Sequence, residues 1–416
     1  MLRSNAAAGL RSAGELSSSV LRVFRTVLGL SCVFLASFAA QETPPEHQHD
    51  AAPRSSWTWT TDANIFVGHN YQQRRFLDYS AWESQNWFML TADRPLGPGH
   101  LILTGMASLE PFTLKRIGSP QVFQTGELYQ GRPLIDYQHP HDLIMGLGAT
   151  YSVERHGAAY AVGADLVGPP ALGPTAFMHR ASARNNPQAP LSHHQLDSTH
   201  ITPGVVRAGV TVAGVTVEAS IFNGKEPDDR RVRPDVPRLD SWSGRLGWQR
   251  GSWRAQFSGA RVRHPQPFEP YDITRLTASI EFIGTAASRP LAITLAWGEN
   301  RELHGILDGY VAEWDWRVAA SGSLYGRGEL VAKDILNLGT PAPPGFTDFH
   351  RISHVDALTA GYVHDVARGR WGMLGVGGDA TVYRVSANLE DPYGSPHSFH
   401  FFLRWHPNSP APAHRH

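Results

Sequence analysis

Beyond residue 57 the chain is written in alternating apolar and polar positions. In "YVAEWDWRVA", Tyr310, Ala312, Trp314, Trp316 and Val318 share one parity, while Glu313, Asp315 and Arg317 hold the other. "SFHFFLRW" sets Phe399, Phe401, Leu403 and Trp405 against His400 and Arg404. "DLIMGLGATYSVE" sets Leu143, Met145, Leu147, Tyr151 and Val153 against Gly148, Thr150, Ser152 and Glu154. Period two marks strands with one apolar and one polar face, and helical periodicity is nearly absent. The pattern predicts strands near 57–70, 84–93, 100–112, 142–155, 158–168, 203–213, 214–223 and 240–250. It predicts others near 252–263, 272–284, 289–299, 308–319, 321–334, 355–366, 370–384 and 397–405.

A soluble sandwich would alternate in the same way, so the joints decide. They switch between short ("ERHG", "AG", "RGS", "ARGR") and long (113–141, 169–202, 224–239, 335–354) with hardly a break. Brief turns at one rim and long loops at the other belong to a membrane barrel, and strands of about ten or more residues suit a tilted span. Trp57, Trp59, Trp87, Trp242, Trp248, Trp253, Trp297, Trp314, Trp316, Trp371 and Trp405 fall on these strands, many near their ends, where an interfacial girdle would place them. The fold class expected is all-β: an antiparallel transmembrane β-barrel of about 16 strands, with short periplasmic turns, long extracellular loops and both ends periplasmic.

Composition narrows the partners. The 37 basic and 37 acidic residues cancel, so no basic excess exists to bind nucleic acid. Arg22 and Arg25 precede "VLGLSCVFLASFAA", the layout of a signal peptide cleaved near Ala39 or Ala40; the long lead-in also allows a start downstream of Met1. Cys32, the single cysteine, lies inside that run, without the large aliphatic residue at Gly29 that a lipid anchor would want. The expected division is a signal peptide (1–40), a flexible periplasmic leader (41–56), the barrel (57–405) and a polar C-terminal tail (406–416).

On this pattern the chain resembles bacterial outer-membrane β-barrels of the porin-like kind. Its closing strand, "SFHFFLRW", is similar to the aromatic-ended last strand of that group, although "HPNSPAPAHRH" follows where such chains usually stop. The set "YQHPHDL", "FMHRASARNNP", "SHHQLDSTHI" and "YGSPHSFH" is also similar to uncharacterised envelope barrel proteins with His-rich loops, a likeness that brings no activity with it. The resemblance implies an outer-membrane location, lipid and a small solute as partners, and a trimer as one candidate assembly; a metal ion as partner rests on the loop histidines instead. It also implies a third loop that folds inward.

A barrel this wide can hold an aqueous lumen. Alternation points Glu154, Asp165, Arg207, Glu218, Arg245, Arg254, Arg275, Glu281, Glu313, Asp315, Arg317, Arg327, Glu329 and Lys333 inward as pore-lining residues. Their signs balance, so no strong ion selectivity is expected of the wall, and pairing across the lumen that stiffens it is an equal reading of these charges. Histidine, at 21 residues, is dense in the long loops. His139, His141, His179, His193, His194, Asp197 and His200 form the candidate metal set, because neutral imidazole binds copper, zinc and nickel. No cofactor is required by this reading; a transient transition metal competes with plain solvated loop histidines. The function expected is a porin-like channel, with two alternatives: a closed surface-binding or structural barrel, and an outer-membrane hydrolase built on Ser192, Ser198 and His200. No G-x-S-x-G element, phosphate loop or H-E-x-x-H helix is present, so an enzyme is not expected.

Overall fold

The computed structural model describes residues 57–408, apart from 234, 236–237, 267–270 and 338–350. The expected signal peptide, the leader and nearly all of the tail lie outside the described residues.

Nineteen strands are described. They run β1 Thr58–Arg74, β2 Leu77–Glu83, β3 Asn86–Leu96, β4 Gly99–Ala107, β5 Ser119–Tyr129, β6 Arg132–Gln138, β7 Ile144–Arg155, β8 Ala158–Gly168 and β9 Thr202–Val212. Then come β10 Val215–Phe222, β11 Ser241–Arg250, β12 Trp253–Val262, β13 Ile273–Ala286, β14 Arg289–Glu302 and β15 Gly305–Ala319. The last are β16 Gly322–Lys333, β17 Ser353–Gly369, β18 Gly372–Val385 and β19 His397–His406. All but β5 and β6 belong to one antiparallel sheet of 17 strands. β2 and β3 pair with successive halves of β1, so they are one interrupted span and the barrel has 16. It closes where β1 pairs with β19, from Ile65↔Trp405 to Gln73↔His397.

The predicted windows match these spans closely, with three differences. Residues 71–83, unassigned by pattern, extend β1 and form β2 around a tight turn at Phe76 (φ 66°). The long loop 113–141 carries its own hairpin, β5–β6, outside the barrel sheet. Met145 does not share the outer face with Leu147: a register shift against β4 at Met106/Ala107 turns it inward, where it is 2% exposed beside Trp87 and Phe177. One extra residue in a strand re-aims a side chain in this way.

The outer face is apolar and open. Val162, Val217, Trp242, Leu246, Phe257, Leu295, Leu330, Leu358, Val382 and Phe401 are all exposed. A monomeric soluble protein rarely shows so broad an apolar surface, and lipid covers it in a barrel. Trp87 departs from the expected girdle, lying buried inside against His179. Leu246→Arg, near the middle of β11 on the outer face, is expected to destabilise the barrel by ~2–4 kcal/mol; Gln249→Arg, at the turn end, by about 1 or less. Urea unfolding in detergent or lipid checks this, and equal losses at both positions would show the facing to be wrong.

Candidate functional site

Two long connections run back inside the barrel. The inner segment 108–143 contributes the β5–β6 hairpin, whose turn at Gln130 and Gly131 has φ of 52° and 75°, both left-handed as the twist of tight hairpins favours. Val122 and Phe123 from its first strand are fully buried, in one apolar cluster with wall residues Val331, Val355 and Ala357. The segment 169–201 leaves β8 through Pro169 and Pro170 and ends in a short helix, His193–Leu196, and a 3-10 turn, Ser198–Ile201. It is the third outward connection, and it enters the lumen as the resemblance implied.

Wall charges hold it there. Arg180, fully buried, sits between Asp197 (3.0 Å) and Glu313 (2.9 Å). Arg327 donates to the backbone carbonyls of Gln188 (3.0 Å) and Ala189 (3.1 Å). Asn185 donates to Asp315, Arg275 to Ser198, and the backbone N–H of Ser192 to Glu329. The two segments also meet each other: Gln121 and Gln124 donate to the carbonyls of Ala189 (2.7 Å) and Pro190 (3.1 Å).

The expected pore-lining set therefore divides. Arg275, Glu281, Glu313, Asp315, Arg327, Glu329 and Lys333 are buried beneath the inserted segments. Asp165 pairs with Arg207, Glu218 with Arg245, and Arg317 with Asp365. Arg254 is half-buried opposite Glu281 in the β12–β13 register, and Glu154 is exposed beside a turn.

The expected metal set divides too. His139, His141, His193, His194 and His200 come together as one group, with ring centroids of neighbours 5.3 to 6.4 Å apart. His179 does not join it; its ring packs edge-on against Trp87 at 4.4 Å. Asp197 serves as a positioning residue, accepting from His193 Nδ1 (2.7 Å), the Phe177 N–H (2.8 Å) and Arg180. Burial would raise the Asp197 carboxyl, but Arg180 and His193 outweigh it and hold it down at about 2. Burial also lowers His193 to about 4 against the pull of Asp197, and lowers His200 well below the ordinary value, so both rings are neutral at pH 7. His139 is lowered likewise by burial and by Arg231.

Each ring's Nδ1 faces an acceptor: Glu110 for His141 (2.9 Å), Asp197 for His193, Glu226 for His194 (3.2 Å) and the Asp197 carbonyl for His200 (2.7 Å). An acceptor at Nδ1 makes that atom the donor, so Nε2 carries the lone pair. The Nε2 atoms of these four rings are buried without a hydrogen-bond partner among the described residues. His139 differs, with Nδ1 against the Pro140 carbonyl (3.1 Å) and Nε2 against Glu127 (3.0 Å). Sequence reasoning missed Glu110, Glu127 and Glu226, which hold the rings. They stand far from the histidines in the chain, so no spacing could announce them. As the side chains stand, no three or more His, Cys, Asp or Glu among the described residues are placed to hold a metal ion.

Neither a family model nor a curated protein matches the chain. Solved structures do. OmpF of Salmonella typhi, solved with daunomycin, is 8% identical with a TM-score of 0.52, over 84% of this chain and 97% of that one. An anion-selective porin from Comamonas acidovorans is 12% identical with a TM-score of 0.49, over 84% of this chain and all of that one. At such identities the likeness concerns the fold. A closed barrel of 16 antiparallel spans, apolar outside and polar within, is the porin fold, and the chain is a β-barrel of the bacterial outer membrane.

Proposed function

We propose that this barrel is a porin-like channel for small solutes, whose lumen is narrowed by two inserted segments. The observation that carries this is the inward seating of residues 169–201 on wall charges, with the 119–138 hairpin beside them. A small cleft of about 40 Å³ lies between the segments and the wall, bordered by Asn64, Trp87, Gln121, His141, Phe177 and Met178. At the root of the segment, Asp165 pairs with Arg207 and Glu218 with Arg245. Both arginines also donate to segment carbonyls, those of Pro169 and Gly173, so strong charge selectivity is not expected of them.

The same burial favours the closed-barrel alternative to a degree that only conductance separates. Purified, heat-modifiable protein in planar bilayers is expected to show discrete steps of low conductance. A folded barrel that gives none would overturn the channel reading. The hydrolase alternative finds little support: Ser198 is held by Arg275, and Nε2 of His193 and of His200 has no serine hydroxyl within hydrogen-bond reach among the described residues. A trimer is proposed with the channel, to be checked by cross-linking in native membranes. A transition-metal ion as passing cargo is disfavoured by the burial of His193 (0% exposed) and His141 (6%), which encloses these rings rather than lining a path with them.

A further inference from the structure

We propose that His141, His193 and His200 bind one divalent transition-metal ion, which fastens the segment 108–143 to the segment 169–201 inside the barrel. The inference goes beyond the channel reading and holds whether or not the lumen conducts.

Three observations converge on it. The donor atoms are the first. The Nε2 atoms of these rings are buried and unpartnered among the described residues, and each is the lone-pair nitrogen because its Nδ1 faces an oxygen acceptor. A buried acceptor left unmet is unfavourable, so three side by side call for a Lewis acid or a set of donors. Spacing is the second. His200 lies 5.5 Å from His141 and 5.3 Å from His193, centroid to centroid. Two imidazoles on one tetrahedral ion, at metal–nitrogen distances of about 2.0–2.1 Å, bring their centroids to about 5 Å. That spacing is met within a few tenths of an ångström. Rotation about χ2, a broad torsion in histidine, re-aims each Nε2 while leaving the ring centre nearly in place.

The third is what stands behind the rings. Glu110 accepts from Nδ1 of His141 and also from its backbone N–H (2.8 Å), and Asp197 is pinned by Arg180 and the Phe177 N–H while it accepts from His193. Carboxylates and carbonyls on the far nitrogen orient ligating histidines and raise their basicity. His194 is left out of the set because its Nε2 is aimed at Gly126, where a Cβ would lie 2.0 Å from it. His139 is left out because both its nitrogens face oxygens. An all-nitrogen donor set favours zinc, copper, nickel or cobalt over magnesium or calcium.

The test uses the full chain, folded in detergent micelles and titrated with Co(II), whose visible absorption reports tetrahedral nitrogen coordination. Saturation at one ion per chain, displaced by Zn(II), is expected. His141→Ala, His193→Ala and His200→Ala should each weaken binding at least tenfold, and Glu110→Gln by ten- to a hundredfold. His139→Ala and His179→Ala should leave it intact. Heat-modifiable migration confirms that each variant is folded, and Zn(II) should slow proteolysis of 169–201 in the wild type only. Absence of the cobalt spectrum, or equal loss in the control variants, would overturn the site and leave the three lone pairs to water.

Discussion

Arg180→Ala is expected to free the inner segment 169–201 while the barrel stays folded. The guanidinium is 2% exposed and bridges Asp197 on the segment to Glu313 on β15. Removing one member of a buried ionic group costs roughly 3–5 kcal/mol, because the carboxylates that remain are uncompensated. Glu313 would keep Arg327 at 3.4 Å and Asp197 would keep His193, but no cation would tie segment to wall at that point. Arg180→Lys should recover only part of the effect, since one ammonium cannot span both carboxylates as the planar fork does. The measurement is limited proteolysis of folded protein: new cleavage within 169–201 is expected, with gel migration before boiling unchanged. Channel conductance should rise in the same variant. A segment that stays protected would show that the hydrogen bonds of Arg327 and Asn185 hold it without Arg180.

The barrel was legible because a membrane strand must write its facing into every second residue. Leu246 and Trp242 are apolar for lipid and Arg245 is polar for the interior, and no tertiary accident is needed to tell them apart. The pattern failed at Met145, where a bulge inserts one residue and reverses the faces. It failed more broadly inside the lumen. Val122 and Phe123 sit in "SPQVFQTGELY", which alternates poorly and reads as loop, yet both are buried against wall residues far away in the chain. Loop histidines could be singled out by density alone, and five of the expected set do gather. Density could not tell His179, which packs edge-on against Trp87, from His200, which joins the others. Nor could it reveal the carboxylates of Glu110 and Glu226, because their part is set by the folded path of two loops.

Glycines of the wall carry the second large effect. Gly298 on β14 and Gly309 on β15 face each other in the ladder, and together they make a flat patch under the helix His193–Leu196. A Cβ on Gly298 would lie 2.3 Å from the Gln195 carbonyl oxygen and 2.7 Å from its carbon; one on Gly309 would lie 2.6 Å from the Ser192 Cβ. The obstacle at Gly298 is backbone, which cannot step aside as the tip of a side chain can. Overpacking of this kind costs about 1–3 kcal/mol, or roughly five- to 150-fold in the population of the seated segment. Gly298→Ala is therefore expected to raise the proteolysis rate of 169–201 by that factor and to weaken any property that depends on the helix's position. Gly328→Ala is the control for the substitution itself: it lies on the neighbouring strand β16, on the outward face with Leu330, and a Cβ there meets nothing within 4 Å. If Gly298→Ala and Gly328→Ala behave alike, the helix does not rest on the wall at Gly298. Conductance would then have to be explained by the hairpin 119–138, the other body inside the barrel.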